Sequence, residues 1–238
     1  MCRRSLLPLF GCAGHTDISE MDKFLEESLK NCRLFKGVSG QDVDRILSAA
    51  FPVHHVCQPG EVLVEAGDVS DRFGLVLSGV LTASRPLTTG EDHLIDLYEQ
   101  GDYFGLENAA TRGKQSPVRI TALERTDVVT FYLDHLLVGI SEETLKDNII
   151  AILANNNIRK LYKIDILSRA GLRERVLTYL QLRAAKEGAQ TFRIGMTQEH
   201  LAKFLAVNRS ALSKELNDMR RDGLIDFKKD QFTLKDTH

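Results

Sequence analysis

The sequence predicts an α+β chain in three parts: an N-terminal double-stranded β-helix (a jelly roll), one long helix, and a C-terminal winged helix-turn-helix. Three observations carry this. Between Phe51 and Leu133 short alternating apolar runs are punctuated by Gly60, Gly67, Gly79, Gly90, Gly101 and Gly105, the pattern of an antiparallel barrel or roll. From Ser141 to Arg169 there is neither Gly nor Pro, which reads as one uninterrupted helix. From Thr197 to Leu234 two short helical patterns lead into an alternating hairpin.

Residues 21–140 are assigned to the roll and its leading helices. Leu25 and Leu29 pair at i, i+4 beside Phe24, and Ser39 can cap a helix carrying Val43, Ile46 and Leu47. Strands are expected at Val62–Val64, Phe73–Leu77, Leu94–Tyr98 and Val128–Tyr132. A barrel of this size can enclose one small ligand. Residues 1–20 are read as a disordered extension, and Met21 is a second plausible start. The apolar stretch SLLPLFGCAG is short and broken by Pro8, so it is not read as a signal peptide, and no run reaches the length of a membrane span.

Residues 141–169 follow, with Ser141 as cap. Ile150, Leu153, Asn157, Lys160, Ile164 and Leu167 fall on a heptad seam, four of them apolar. An Asn on such a seam can fix the register of a pair of helices, so this segment is assigned as a dimerisation helix. The alternative is a helix packed on its own roll. Gly171 is the expected hinge to the last domain, 170–238.

In that domain Thr197 is an N-cap residue, followed by Leu201, Phe204 and Leu205 on one face. Asn208 is a second cap. Leu212 and Leu216 give the next helix its buried edge, and Ala202 is small where the two helices must meet. Arg209, Ser210, Ser213 and Lys214 then point outward, and such side chains suit phosphates and base edges. Gly223 ends the helix, and Ile225, Phe227, Phe232 and Leu234 flank the turn of a hairpin. Helix pair plus hairpin reads as a winged helix that binds double-stranded DNA, with Thr197, Asn208, Arg209, Ser210, Ser213 and Lys214 as its candidate contacts.

Charge agrees with that division. The net charge of −2 hides 14 Lys and Arg against 9 Asp and Glu from Arg169 onward, and 17 against 24 before it. The excess of cations coincides with the winged helix. Cys2, Cys12, Cys32 and Cys57 fit no zinc or CxxC spacing. No nucleophile–base pair or phosphate loop stands out, so catalysis is not expected, and no metal site is assigned.

The full order, over about residues 22–236, resembles the Crp/Fnr superfamily of the cyclic-AMP receptor protein and the fumarate–nitrate reduction regulator. The resemblance rests on PGEVLVEAGD at 59–68, LVLSGVL at 75–81, GDYFG at 101–105 and MTQEHLAKFLAVNRSALSKELNDMRRDGLI at 196–225. It implies a cytoplasmic homodimeric transcription regulator on a palindromic operator, working with RNA polymerase, whose roll takes a small-molecule effector. It also implies base reading from Arg209, Ser210 and Lys214. Ser210 stands where well-known members have Glu, and Lys214 where Arg is commoner, so the half-site should differ.

At the effector site the resemblance breaks. The family's cyclic-AMP pattern is Gly-Glu, then Arg-Ser about ten residues on; here GLENAATRGKQSPVRI offers Gly105-Leu106 and Ser116-Pro117. Glu107 and Arg119 fill those roles only after two separate shifts. Gly105, Leu106, Glu107, Asn108, Ser116 and Arg119 are therefore pocket candidates, with cyclic AMP disfavoured and the cofactor unknown. Alternative readings are a nucleotide-binding module without a DNA function, and haem, iron–sulfur or thiol sensing through Cys32 and Cys57. The haem reading looks to His54, His55 and His93; His54 and His55, adjacent on a strand, point to opposite faces and would not chelate together. The winged helix argues against the first, and cysteine spacing against a cluster.

Overall fold

The computed structural model describes residues 23–86, 92–137 and 143–235, with side chains from residue 27 onward. Residues 1–20, Met21 and the expected cap Ser141 lie outside them. The chain divides into two compact units between Asn156 and Asn157, inside the long helix.

The first unit opens with α1 (Lys23–Lys30), a 3₁₀ turn (Arg33–Phe35) and α2 (Gly40–Ala50), where the Ser39 hydroxyl accepts from Asp42 N as a cap. Its strands are β1 (Val53–Cys57), β2 (Val62–Val64), β3 (Arg72–Ser78), β4 (Leu81–Pro86), β5 (Asp92–Tyr98), β6 (Tyr103–Phe104), β7 (Arg119–Ala122) and β8 (Thr126–Tyr132). The short helices α3 (Leu106–Ala109) and α4 (Leu133–Leu137) follow β6 and β8. The strands form two antiparallel four-stranded sheets, ordered β1-β8-β3-β6 and β2-β7-β4-β5, which is a jelly roll.

The first sheet is buried on both faces. Phe73, Leu75, Val129 and Phe131 pack outward against Leu34, Phe35, Ile46, Leu136, Ile149 and Ile152. Val76, Val128 and Phe104 face inward and meet Leu63, Leu81, Tyr98, Ile120 and Ala122 between the sheets. This is why β3 and β8 read as continuous apolar runs instead of clean alternations. On β5 the buried residues Leu94 and Leu97 are three apart. Ala83 pairs with Asp96 and Ser84 with Leu94, so Ile95 is a bulge that resets the alternation.

The long helix α5 (Glu143–Ser168) begins against this core. Its Asn148 amide donates to the carbonyls of Leu34 (2.9 Å) and Lys36 (2.8 Å), holding the 3₁₀ turn. The same turn is fixed from the strand side, where the buried Tyr103 hydroxyl accepts from Leu34 N at 3.0 Å.

The second unit contains the end of α5, then α6 (Leu172–Glu187), β9 (Thr191–Arg193), α7 (Gln198–Phe204), α8 (Arg209–Arg221), β10 (Ile225–Lys228) and β11 (Gln231–Leu234). The hairpin β10–β11 takes β9 as a third strand. Val176, Leu180, Leu201, Leu205, Leu212, Leu216, Met219, Ile225 and Phe232 form its core. Lys163 donates to the Phe204 carbonyl and Arg175 to the Leu205 carbonyl at 3.3 Å, so two cations close the C-terminal end of α7.

Candidate nucleic-acid interface and effector region

Thr197 and Asn208 cap α7 and α8, as their residue types predict. The Thr197 hydroxyl accepts from His200 N at 3.3 Å, and Asn208 Oδ1 accepts from Ala211 N at 2.7 Å. Between the helices Ala206 adopts a left-handed conformation at φ +55°, and Val207 N donates to the Ala202 carbonyl. Ala202 is itself buried at this crossing.

With Leu212, Leu216 and Met219 turned into the core, α8 leaves Arg209, Ser210, Lys214, Asn217 and Arg221 on its outer surface, with Ser213 half-buried beside them. Their states differ. The Ser210 hydroxyl donates to Asn208 Oδ1 at 2.9 Å, so it is tied into the cap. Arg221 pairs with Asp218 at 2.8 Å. Arg209 and Lys214 make no ion pair or side-chain hydrogen bond among the described residues, and both charges stand ready for phosphate or base edges. Arg173 fixes the helix from behind, bonding Glu215 at 2.7 Å and Asp222 at 2.6 Å. These carboxylates hold the Arg173 guanidinium above its ordinary pKa, the hydrogen bond to Glu215 counting most.

Sequence reasoning overlooked two features of this surface. Asn217 continues the exposed stripe of α8 one turn beyond Ser213, whose carbonyl it bonds at 2.8 Å. Lys228 and Lys229 stand exposed at the hairpin turn, Lys229 at φ +57°. The i, i+4 spacing could have found Asn217.

Of the expected seam residues on α5, Leu153 packs against the roll's own helical core, and Lys160 is exposed next to the exposed apolar Leu161. The exposed apolar residues are Ile150 (63%), Ile158 (45%), Leu161 (57%), Tyr162 (49%) and Ile164 (63%), with Asn157 exposed among them and Leu167 half-buried. Gly171 precedes α6 at φ −103°, where a Cβ would meet nothing within 4 Å.

In the roll the pocket candidates separate. Gly105 takes φ +75° before α3, and Leu106 is fully buried in the helical core, on the far side of the first sheet from the space between the sheets. Glu107 and Asn108 are half-buried beside it. The Ser116 hydroxyl donates to the Val118 carbonyl at 2.7 Å, closing the turn around Pro117. Ile120 and Ala122 point between the sheets, so Arg119 points away, to Glu65 at 2.8 Å and Asp92 at 3.5 Å. Leu106, Ser116 and Arg119 thus do not converge inside the roll.

His55 faces inward and is buried, its Nε2 3.2 Å from the Thr130 hydroxyl; His54 faces outward to Asp127 at 3.2 Å. Cys57 is buried between the sheets, whereas Cys32 packs on the helical side. Burial pushes the Cys32 thiol above its ordinary pKa, which keeps it protonated and weakly nucleophilic. Among the described residues no three of His, Cys, Asp or Glu group as metal ligands, and no helix is long and apolar enough to cross a membrane.

Comparisons with known proteins agree with both halves of the chain. Residues 54–142 match the cyclic nucleotide-binding domain, and residues 174–238 match the Crp-like helix-turn-helix domain. The protein named cyclic AMP receptor protein in Thermus thermophilus is 25% identical over 199 residues, covering 83% of this chain and 89% of that one. Electron transport regulator A of Shewanella oneidensis is 21% identical over 201 residues, covering 82% and 78%. The solved structure of a CooA mutant from Carboxydothermus hydrogenoformans shares the fold, with a TM-score of 0.68 at 18% identity over 87% of this chain and 94% of that one. With a nucleotide-binding-type roll ahead of a Crp-like helix-turn-helix, the chain belongs to the Crp/Fnr superfamily of DNA-binding transcription regulators.

Proposed function

We propose that this regulator acts as a homodimer on a twofold-symmetric DNA site, reading it from α8 and responding to a small-molecule effector, other than cyclic AMP, held in the roll. It works on RNA polymerase in the cytoplasm. The observation that carries the reading is the pair of exposed cations, Arg209 and Lys214, unpaired among the described residues on a helix whose opposite edge is locked into the core. A twofold axis fits the exposed apolar residues of α5, because a surface of this kind is costly to leave in water and self-complementary when two copies meet. Against cyclic AMP stand the burial of Leu106 away from the space between the sheets and the outward pairing of Arg119.

Arg209 is the principal base reader, its guanidinium matching guanine O6 and N7, while Lys214 supplies a point charge. Selection of a bound sequence from random DNA, followed by footprinting, provides the test. Arg209→Ala should lose about 1–3 kcal/mol of discrimination at one base pair of each half-site. An unchanged footprint and affinity would remove Arg209 from the interface.

A further inference from the structure

We infer that the inner face of the first sheet, at its Arg72 end, is a site for a small singly charged carboxylate with a flat apolar body. This rests on the reading of the roll as the effector-binding part, and it names the effector's chemical class.

Arg72 on β3 pairs in register with Tyr132 on β8, and Gly74 with Thr130. The residues between them, Phe73 and Phe131, face the helices, so Arg72, Tyr132 and Thr130 face the space between the sheets. Deeper along this face, Val76, Val128 and Phe104 fill that space with apolar side chains. At the Arg72 end the face turns polar. The half-buried guanidinium lies 3.8 Å over the Tyr132 ring and donates to the Thr130 hydroxyl at 3.0 Å. His55, 1% exposed, brings its Nε2 to the same hydroxyl at 3.2 Å.

No carboxylate among the described residues answers Arg72. A partly buried guanidinium held only by one hydroxyl and an aromatic face keeps most of its donors in hand. An arginine placed that way is stabilised by an anion, and its planar fork matches a carboxylate with two parallel bonds. One fixed positive charge suits one negative charge. With the His55 proton on Nε2, both nitrogens donate to the Thr130 oxygen, and the hydroxyl proton is left for a ligand oxygen. The flat body follows from the rings that continue from the guanidinium to the surface. Tyr132 lies 4.8 Å from the His135 ring, and His135 lies 6.1 Å from Phe51. Phe51 is 65% exposed and held at φ +45° directly before Pro52, a conformation disfavoured twice over.

Calorimetric titration of the full-length protein with benzoate, benzamide and inorganic phosphate tests the site. Benzoate should bind once per chain at millimolar concentration or tighter, with benzamide and phosphate at least about tenfold weaker. Arg72→Met, which keeps the stem over Tyr132, should weaken benzoate at least about tenfold with an unchanged circular dichroism spectrum, and Arg72→Lys should fall between. If Arg72→Met does not fold, the same loss in a folded Thr130→Val supports the assignment. Equal benzoate affinity in a folded Arg72→Met, tighter binding of phosphate than benzoate, or no benzoate binding up to about 10 mM would each overturn it. DNA affinity measured with and without benzoate separates the two readings. Benzoate held by Arg72 with no change in DNA affinity overturns the effector role and keeps the anion site. Ligand-controlled DNA binding that survives Arg72→Met does the reverse.

Discussion

His200 shows how one residue in the helix pair responds to its surroundings. Its backbone N–H is capped by the Thr197 hydroxyl, and its Nδ1 lies 2.7 Å from the same oxygen. Burial first, and the neighbouring Lys203 second, lower its pKa below the ordinary 6.5. The unfolded chain therefore takes up a proton at a pH where the folded unit still resists it. Stability from this group is fully present above about pH 6.5 and falls as the pH drops through the lower folded-state value. Melting of the winged helix between pH 7.5 and 5 should show this loss, and His200→Gln, which can still serve at the third position of a capping box, should flatten it. Equal pH slopes in the two proteins would assign the effect elsewhere. Ala206 pays for the tight turn differently. At φ +55° an L-residue is strained, and a glycine is not. Ala206→Gly should stabilise the second unit by about 0.5–1 kcal/mol, after the extra freedom glycine gives the unfolded chain is set against the relief of strain. A lower melting temperature would count against strain at this turn.

Among the elements, β3 is constrained on both of its faces. Its outward residues Phe73 and Leu75 serve the helical core, with Phe73 and Phe131 stacked at 5.5 Å. Its inward residues are Arg72, Gly74 and Val76, and Gly74 is there because Phe104 lies across it. A Cβ at Gly74 would come within 2.1 Å of the Phe104 ring, which is itself 1% exposed and has no room to retreat. Gly74→Ala should cost about 1–3 kcal/mol by overpacking. Gly171→Ala, at a position with an ordinary φ and open space, should stay within about 0.5 kcal/mol of wild type in the same urea titration. Similar costs for both would mean that glycine acts through the unfolded chain and not through Phe104.

For the whole molecule, the long helix belongs to both compact units. Its first turns are held by Asn148 and the roll's outer core, and Lys163 near its end closes α7. Ile150, Leu161 and Ile164 are then left exposed on it. Burying such residues against a second copy is worth roughly 1.5–3 kcal/mol per large side chain, and a charge there reverses the gain. Leu161→Glu should halve the mass seen by light scattering at micromolar concentration and weaken binding to a two-half-site DNA more than to a single half-site. Retention of the wild-type mass would place the interface elsewhere.

What the sequence by itself determined is local. Thr197 and Asn208 were legible as caps because a cap depends on a residue type and the next three backbone amides. Glycine punctuation and alternation were enough for a roll, and an unbroken run from 141 to 169 was enough for a helix, found at Glu143–Ser168. The tertiary structure decided which face each residue turns to. The heptad put Leu153 and Lys160 alike on the seam, and only the roll's core shows Leu153 packed inward, while the exposed Leu161 was not named by the heptad at all. Leu106 and Glu107 are adjacent in sequence, yet the left-handed Gly105 sends Leu106 to the helical core. The resemblance offered Arg119 as an anion ligand only after a shift, but the parity of β7 sends it outward to Glu65 and Asp92, while the parity of β3 brings Arg72 inward with no carboxylate partner among the described residues. Side-chain direction along a strand has a period of two, so a single-residue shift exchanges inside for outside, and only the pairing of one strand with the next fixes which it is.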